Sequence, residues 1–268
     1  MIKKRTMRLL RRLTLAGLAL GSLAACDKLK KQETSNAPVE QATQPIAGCA
    51  VPQDAVVRKD VVFPAGCKLS LPEGLTIEDG ATLTIGAGSR LAFGASRLLH
   101  VLKGKLVARG TDKEPITFTS SSPTPAPGDW VGFAYSADAA AGNVLERVVV
   151  EYAGNANRFG TGVEAALAIN GPQPGRLSIT GSTFRKNKGT AIDASAEPAV
   201  FAKLDGNTLQ DGAYSLHVQG NVLGSIGATN KLEKPVRVEG AVLSTQSWPK
   251  LEVPIVVAGL QVGGEKGD

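Results

Sequence analysis

The sequence predicts an all-β protein, a single-stranded right-handed parallel β-helix with three short strands per coil and about 24–25 residues per coil. Two observations predict this fold. Apolar residues recur every eight positions between residues 75 and 101, and segments 176–184 and 201–209 match position for position at a spacing of 25. Because one such unit buries almost no apolar surface by itself, the units must stack to form a core.

The eight-residue period has two apolar columns separated by one residue. Alternate positions of a strand point to the same side, so each period predicts one short strand with its apolar side inward. A third column holds glycine or serine, where the backbone is expected to turn. The columns are Leu75, Leu83, Leu91 and Leu99, then Ile77, Ile85, Phe93 and Val101, then Gly80, Gly88, Ser96 and Gly104.

The second repeat gives the length of a full coil. RLSITGSTF places Ile179 over Leu204 and Phe184 over Leu209 of FAKLDGNTL, and three periods of eight make nearly the same length. Leu167, Ile192 and Leu216 follow at spacings of 25 and 24.

Two segments interrupt the period, and interruptions of a solenoid often carry function. Residues 119–130 are rich in proline, and residues 153–164 lengthen one coil, so that Leu145 and Ile179 are 34 residues apart. Trp130, Arg158, Phe159 and Glu164 are therefore the candidate ligand-binding residues. The alternatives are surface insertions without a ligand and, for Trp130, a packing role.

Both ends of a β-helix expose unpaired strand edges. DAVVRKDVVF, residues 54–63, is expected to cover the N-terminal end. Residues 248–262 are expected to form a terminal strand, because proline limits further pairing, and 263–268 a flexible tail.

Cys49 and Cys67 are expected to form a disulfide, with two unpaired buried thiols as the alternative. The two histidines lie far from both cysteines in the sequence, a spacing that predicts no metal site.

The N-terminus has the order of a secretory signal: basic residues, then an apolar stretch, then small residues directly before a cysteine. Leu23, Ala24, Ala25 and Cys26 resemble the lipobox of bacterial lipoproteins. The domain prediction is a signal peptide at 1–25, a lipidated Cys26 with a disordered tether at 26–48, and the β-helix with its N-terminal cap at 49–262. The resemblance implies export to the bacterial cell envelope, anchored by acyl chains on the periplasmic side of the inner membrane or in the outer membrane. An uncleaved anchor with an incidental cysteine is the alternative.

The charge is concentrated at the N-terminus. The formal charge is +6, and residues 1–25 hold six basic residues and no acidic one, so the remainder is formally neutral. A neutral body has no charge with which to neutralise a phosphate backbone, which excludes nucleic acid as a partner. No motif for a cofactor is present, and none is expected.

The stretches GLTIEDGATLTIGAGSRLAF, LVARGTDKEPITFTS, PGDWVGF and LERVVVEYAG resemble the pectin-lyase-like β-helix superfamily and, more closely, myxobacterial β-helix lipoproteins. With the downstream coil match, the resemblance covers roughly residues 74–217. The resemblance implies the β-helix fold and does not imply an activity. Enzymes of the superfamily degrade acidic polysaccharides in a groove along one face, with paired carboxylates or with an Arg or Lys base helped by Ca²⁺. The aspartate pair and GHG-like stretch of polygalacturonases and the RxPxxR of pectate lyases are not found here.

The function predicted is therefore non-enzymatic, with no catalytic residue assigned: a lipid-anchored β-helix that presents a rigid surface to a glycan or to an envelope protein. A polysaccharide lyase or glycoside hydrolase is the first alternative, and a structural or self-associating surface protein is the second. If the chain is an enzyme, Asp193, Asp205 and Asp211 are the candidate acidic cluster. His100 and His217 are expected to point outward into solvent, and Asn187 and Asn207 are expected to bond from coil to coil at turns.

Overall fold

The coils of the chain stack on one another, and their strands form three parallel sheets. The computed structural model describes residues 46–156, 164–171, 176–196 and 201–263, all within one compact unit that spans residues 42–268. The predicted signal peptide, Cys26 and most of the predicted tether lie outside the described residues, as do Arg158 and Phe159 and the end of the predicted tail. Neighbouring strands of every sheet pair in parallel, and the chain visits the three sheets in turn, which confirms the three-stranded coil.

Sheet 1 contains β1 (Ile46–Ala47), β3 (Val61–Phe63), β6 (Thr82–Ile85), β9 (Lys105–Arg109), β12 (Asn143–Glu146), β15 (Leu177–Thr180) and β18 (Lys203–Asp205). Sheet 2 contains β4 (Lys68–Leu71), β7 (Arg90–Phe93), β10 (Ile116–Ser120), β13 (Val148–Glu151), β16 (Thr183–Arg185), β19 (Thr208–Leu209) and β21 (Lys231–Leu232). Sheet 3 contains β2 (Val56–Val57), β5 (Leu75–Ile77), β8 (Leu98–Val101), β11 (Gly132–Ser136), β14 (Ala165–Asn170), β17 (Thr190–Ala194), β20 (Tyr214–Gln219), β22 (Val236–Val242) and β23 (Ile255–Val262). A 3₁₀ turn spans Leu223–Ser225.

The apolar columns of the eight-residue period fill the inside of the coil. All eight of their side chains are at most 2% exposed. The downstream repeat is confirmed as well, since Ile179 pairs with Leu204 and Phe184 with Leu209. Where the period breaks, the strands still stack, because Leu145 pairs with Ile179 across the longer connection.

The turn column combines two separate requirements for a small residue. Gly80, Gly88 and Ser96 have φ of +76°, +70° and +57°, so the turn itself is left-handed there. Gly104 has no such φ. A Cβ at Gly104 would lie 2.6 Å from the carbonyl oxygen of Ala81, so the close approach of another part of the chain requires glycine at that position.

Buried asparagines bond one coil to the next, as predicted. Asn187 Oδ1 accepts the Ala153 N–H at 2.8 Å, and Asn207 Oδ1 accepts the Ser182 N–H at 3.0 Å. Each carboxamide thus satisfies backbone groups that a buried turn would otherwise leave unpaired. Asn207 also contacts Asn230 of the following coil, whose Oδ1 accepts the Asn207 N–H at 3.0 Å.

The N-terminal end differs in part from the prediction. Cys49 and Cys67 form the predicted disulfide, with Cα atoms 5.5 Å apart. The segment expected to cap the helix instead forms β2 and β3, which belong to sheets 3 and 1 as ordinary coil strands. The first described strand begins at Ile46, so regular structure starts slightly before the predicted boundary at residue 49.

The C-terminal end confirms a terminal strand but corrects the position of the prolines. Of the described strands of sheet 3, β23 is the last, and it pairs with β22 alone. Pro249 and Pro254 both precede β23, so neither interrupts its edge. In the part of the chain that the structure describes, no helix has the length and apolar character needed to cross a membrane.

Candidate ligand-binding face on sheet 3

The outer face of sheet 3 brings ionisable residues of three successive strands into register. Asp193 on β17 pairs with His217 on β20, and His217 pairs with Arg237 on β22. Gln219 and Glu239 form a parallel row two residues further along the same strands. Because aligned residues of parallel strands project to the same side, these side chains lie next to one another outside the apolar core.

His217 lies between two carboxylates. Its Nδ1 is 3.0 Å from Asp193 Oδ2, and its Nε2 is 3.1 Å from Glu239 Oε2, an ion-pair contact without the alignment of a full hydrogen bond. Arg237 Nη2 is 3.3 Å from the same Glu239 oxygen. Asp193 is fixed in turn by Ser195, whose N–H and hydroxyl donate to Asp193 Oδ1 at 3.0 and 2.7 Å.

The neighbouring carboxylates favour the protonated form of His217. Burial alone would lower the pKa of His217, but Asp193 and then Glu239 outweigh it, so the pKa is raised above its ordinary value near 6.5. Burial alone would raise the pKa of Asp193, but the hydrogen bonds from His217 and Ser195 outweigh it, and the pKa is lowered. The arrangement therefore favours an imidazolium between two carboxylates.

This cluster borders an open hollow of about 390 Å³, the size of a small-molecule site. Glu164 lines the same hollow and binds Lys188, with Oε1 and Nζ 2.6 Å apart. The half-buried Tyr214 adds an aromatic ring to the wall. The hollow is lined by Glu164, Gly189, Thr190, Ala213, Tyr214, His217, Arg237 and Glu239.

The charges of the hollow are balanced, and one donor is uncommitted. The two carboxylates that line it, Glu164 and Glu239, are matched by Arg237 and a protonated His217, so no cation is left over for an anionic ligand. Arg237 Nε is buried and has no hydrogen-bond partner within the described residues. A buried N–H without an acceptor is costly, so a shift of the partly exposed Arg237 side chain that brings Nε to an acceptor atom of a ligand would be favoured.

His217 is not placed to activate a serine or cysteine nucleophile. A histidine that activates a serine or cysteine needs that hydroxyl or thiol at its free nitrogen. Here the second nitrogen of His217 faces Glu239 instead. Among the described residues, no group of three or more His, Cys, Asp or Glu side chains is placed to hold a metal ion.

Trp130 does not belong to this face, which corrects its assignment as a ligand-binding residue. It is 0% exposed, and its ring stacks on Phe93 at a centroid distance of 4.4 Å. Its Nε1–H donates to the Glu151 carbonyl oxygen at 2.9 Å inside the coil. The packing alternative is therefore right for Trp130. Of the other candidates, Glu164 lies in the hollow, whereas Arg158 and Phe159 are outside the described residues.

The three aspartates of the enzyme alternative do not form a cluster. Asp193 lies on sheet 3, whereas Asp205 ends β18 of sheet 1 and accepts a hydrogen bond from Thr229. Asp211 occupies a turn with φ of +61° and accepts the Lys186 N–H at 2.7 Å. Each carboxylate has a local structural partner, and the three sit on different sides of the coil.

The sequence interpretation was wrong about His217, which is 8% exposed and paired rather than solvated. A signal for the pair was present: the coil spacing of 24 that aligns Ile192 with Leu216 also aligns Asp193 with His217. Arg237 and Glu239 could not be found in this way, because the next coil shortens to 20 residues between Leu216 and Val236. His100, also on sheet 3, is only partly buried, with its Nε2 2.9 Å from Ser136 Oγ.

The fold defines a class of protein, the three-stranded parallel β-helix. Residues 55–162 match the family described as pectate-lyase like beta helix domain. This match and the three parallel sheets fit a right-handed parallel β-helix. No curated protein and no solved structure matches the chain.

Proposed function

We propose that this chain is a lipid-anchored cell-envelope protein without enzymatic activity, whose outer face of sheet 3 binds a neutral glycan. The observation that carries the proposal is the hollow beside His217. Its ionisable side chains pair with one another, and Arg237 Nε has no acceptor among the residues that the structure describes.

The chemistry of the hollow suits sugar hydroxyl groups. A hydroxyl both donates and accepts hydrogen bonds, so it can bond to the carboxylate of Glu239 or Glu164 and to the N–H groups of Arg237. The ring of Tyr214 offers an apolar surface next to them. An acidic polysaccharide is disfavoured because each basic side chain of the hollow already contacts a carboxylate.

A polysaccharide lyase or glycoside hydrolase remains the second candidate, favoured by one observation. His217 contacts carboxylates on both sides, and such a histidine can transfer protons. A hydrolase also needs two carboxylates on opposite sides of the scissile bond. Here the carboxylates contact His217 from both sides, which leaves that space occupied.

The binding proposal predicts that the protein is retained by a neutral polysaccharide and leaves it intact. We expect Arg237→Gln to weaken retention by about tenfold or more, because it removes the guanidinium with its uncommitted donor. The measurement is affinity electrophoresis against panels of neutral and acidic polysaccharides, with product analysis by chromatography.

Arg185→Gln is the matched control for this experiment. Arg185 also pairs with a glutamate on the outside of the coil, at 3.0 Å from Glu151, but on sheet 2. Equal losses in both variants would place the binding elsewhere than the hollow. Cleavage that disappears in His217→Gln would favour the enzyme, and no retention on any glycan would favour a protein partner. Each of these outcomes overturns the proposal.

The anchoring part of the proposal has its own prediction. Cys26→Ser removes the thiol that would be acylated, and each buried CH₂ of an acyl chain contributes about 0.8 kcal/mol to membrane binding. We therefore expect the variant to move from the membrane pellet to the soluble fraction after cell fractionation. Cys49→Ser, which breaks only the disulfide, is the control and should stay in the pellet. Membrane association that persists in Cys26→Ser would contradict lipid anchoring.

A further inference from the structure

The C-terminal end of sheet 3 presents an unprotected strand edge. β23 has eight residues, carries no charged side chain, and pairs on one side only among the strands that the structure describes. A bulge at Gly259 divides it, because Glu239 pairs with Ala258 and Gly240 with Leu260. The run before the bulge, 255–258, turns the N–H and C=O groups of its alternate residues away from β22, where they can bond another strand.

The exposed large apolar side chains of the described residues all lie at this end. Val257 on β23 and Leu243 just after β22 are 55% and 66% exposed, and Val262 is 78% exposed. Leu243 and Val262 line a hollow of about 350 Å³, formed by uncharged residues of segments 242–245 and 262–263. An apolar group concentrated beside a free edge is typical of an interaction surface.

The free backbone groups and the uncharged side chains of β23 indicate which kind of strand can pair with it. Backbone donors and acceptors in a row require a β-strand, and the absence of charge on β23 means that two copies of it do not repel each other. The opposite end of sheet 3 does not match it, because β2 has two residues and is flanked by the exposed Asp54 and Arg58. A head-to-tail contact would pair eight residues with two, whereas a tail-to-tail contact pairs identical strands.

We propose that two copies of this chain associate tail to tail through β23. Two copies related by a two-fold axis place their β23 strands antiparallel, which joins two sheets of nine strands into one continuous sheet. The same axis brings the exposed Leu243 and Val262 of each copy to the interface. An isologous contact of this kind closes at two copies and forms no filament.

Sedimentation equilibrium of the full chain carrying Cys26→Ser tests this association at about 1 to 100 µM protein, a range in which weak dimers form. We expect a monomer–dimer equilibrium. Val257→Lys places a charge on each β23 and should weaken dimerisation by about tenfold or more. Leu243→Ser, which leaves the strand edge intact, should weaken it to a smaller extent.

Ser70→Lys is the matched control, since it adds the same charge to β4, the edge strand of sheet 2 at the other end. It should leave dimerisation unchanged. A monomer at every concentration overturns the proposal, as does a dimer that survives both Val257→Lys and Leu243→Ser. Loss of association in Ser70→Lys also overturns it, in favour of a head-to-tail contact. Far-ultraviolet circular dichroism confirms that each variant retains its β-structure.

Discussion

Replacing Trp130 by alanine is expected to lower the free energy of unfolding by about 3–5 kcal/mol, the usual cost of deleting a large buried aromatic side chain. The ring is fully buried, stacks on Phe93 and meets Phe133 edge to face at 5.8 Å. Alanine would leave a cavity between these rings and would free the Glu151 carbonyl oxygen of its hydrogen bond. The measurement is denaturant unfolding followed by the change in circular dichroism.

Trp130→Phe separates packing from the hydrogen bond. Phenylalanine fills most of the space but cannot donate to Glu151, so a smaller loss of about 1–3 kcal/mol is expected, the cost of an unsatisfied buried acceptor. Glycan retention by the folded Trp130→Phe protein should equal that of the unmodified chain. A loss of retention without a loss of stability would show that Trp130 contacts a ligand after all.

The regular part of the fold was predictable because its signal is local and repeated. A strand of three to five residues with alternate apolar positions, such as Leu75 to Ile77, specifies its own inward side, and the repeat spacing specifies which residue it stacks on. Ser96 could be placed in the glycine column because the period alone aligns it with Gly88. Its left-handed backbone then follows from the geometry of the turn.

The candidate site was not predictable to the same extent, since it depends on pairing between strands outside the regular period. Asp193 and His217 lie on strands 24 residues apart, so their contact could be inferred from the coil length. Glu239 reaches His217 only because the following coil is shorter, and no repeat in the sequence gives that length. The burial of His217 also depends on its neighbours, because a position that faces outward from a strand is usually solvated.

Replacing Asp193 by alanine is expected to cost about 3–5 kcal/mol of unfolding free energy near neutral pH, as is usual when one partner of a buried ion pair is removed. Asp193 is 2% exposed and accepts three hydrogen bonds, one from His217 and two from Ser195. Alanine leaves those donors without their acceptor, and it leaves His217 with Glu239 as its remaining carboxylate.

The same pair predicts how stability depends on pH. The pKa of His217 is raised in the folded state, so its contribution is complete below the ordinary value near 6.5 and is lost as pH rises through the raised pKa. The pKa of Asp193 is lowered, so its contribution is present above the ordinary value of 3.8 and is lost as pH falls through the lowered pKa. Together they stabilise the fold most between these two ordinary values.

Asp193→Asn tests the charge of the pair at nearly constant shape. The amide retains an acceptor for a neutral His217 but provides no negative charge, so the stability difference from the unmodified chain should be large near pH 6 and should shrink by about pH 9. Glu239 and Arg237, the other charged groups in this contact, are the same in both proteins, and therefore the difference isolates Asp193. Urea unfolding at a series of pH values measures it. A difference that stays constant over this range would mean that His217 is not an imidazolium in the folded protein, and the charge balance proposed for the hollow would then be lost.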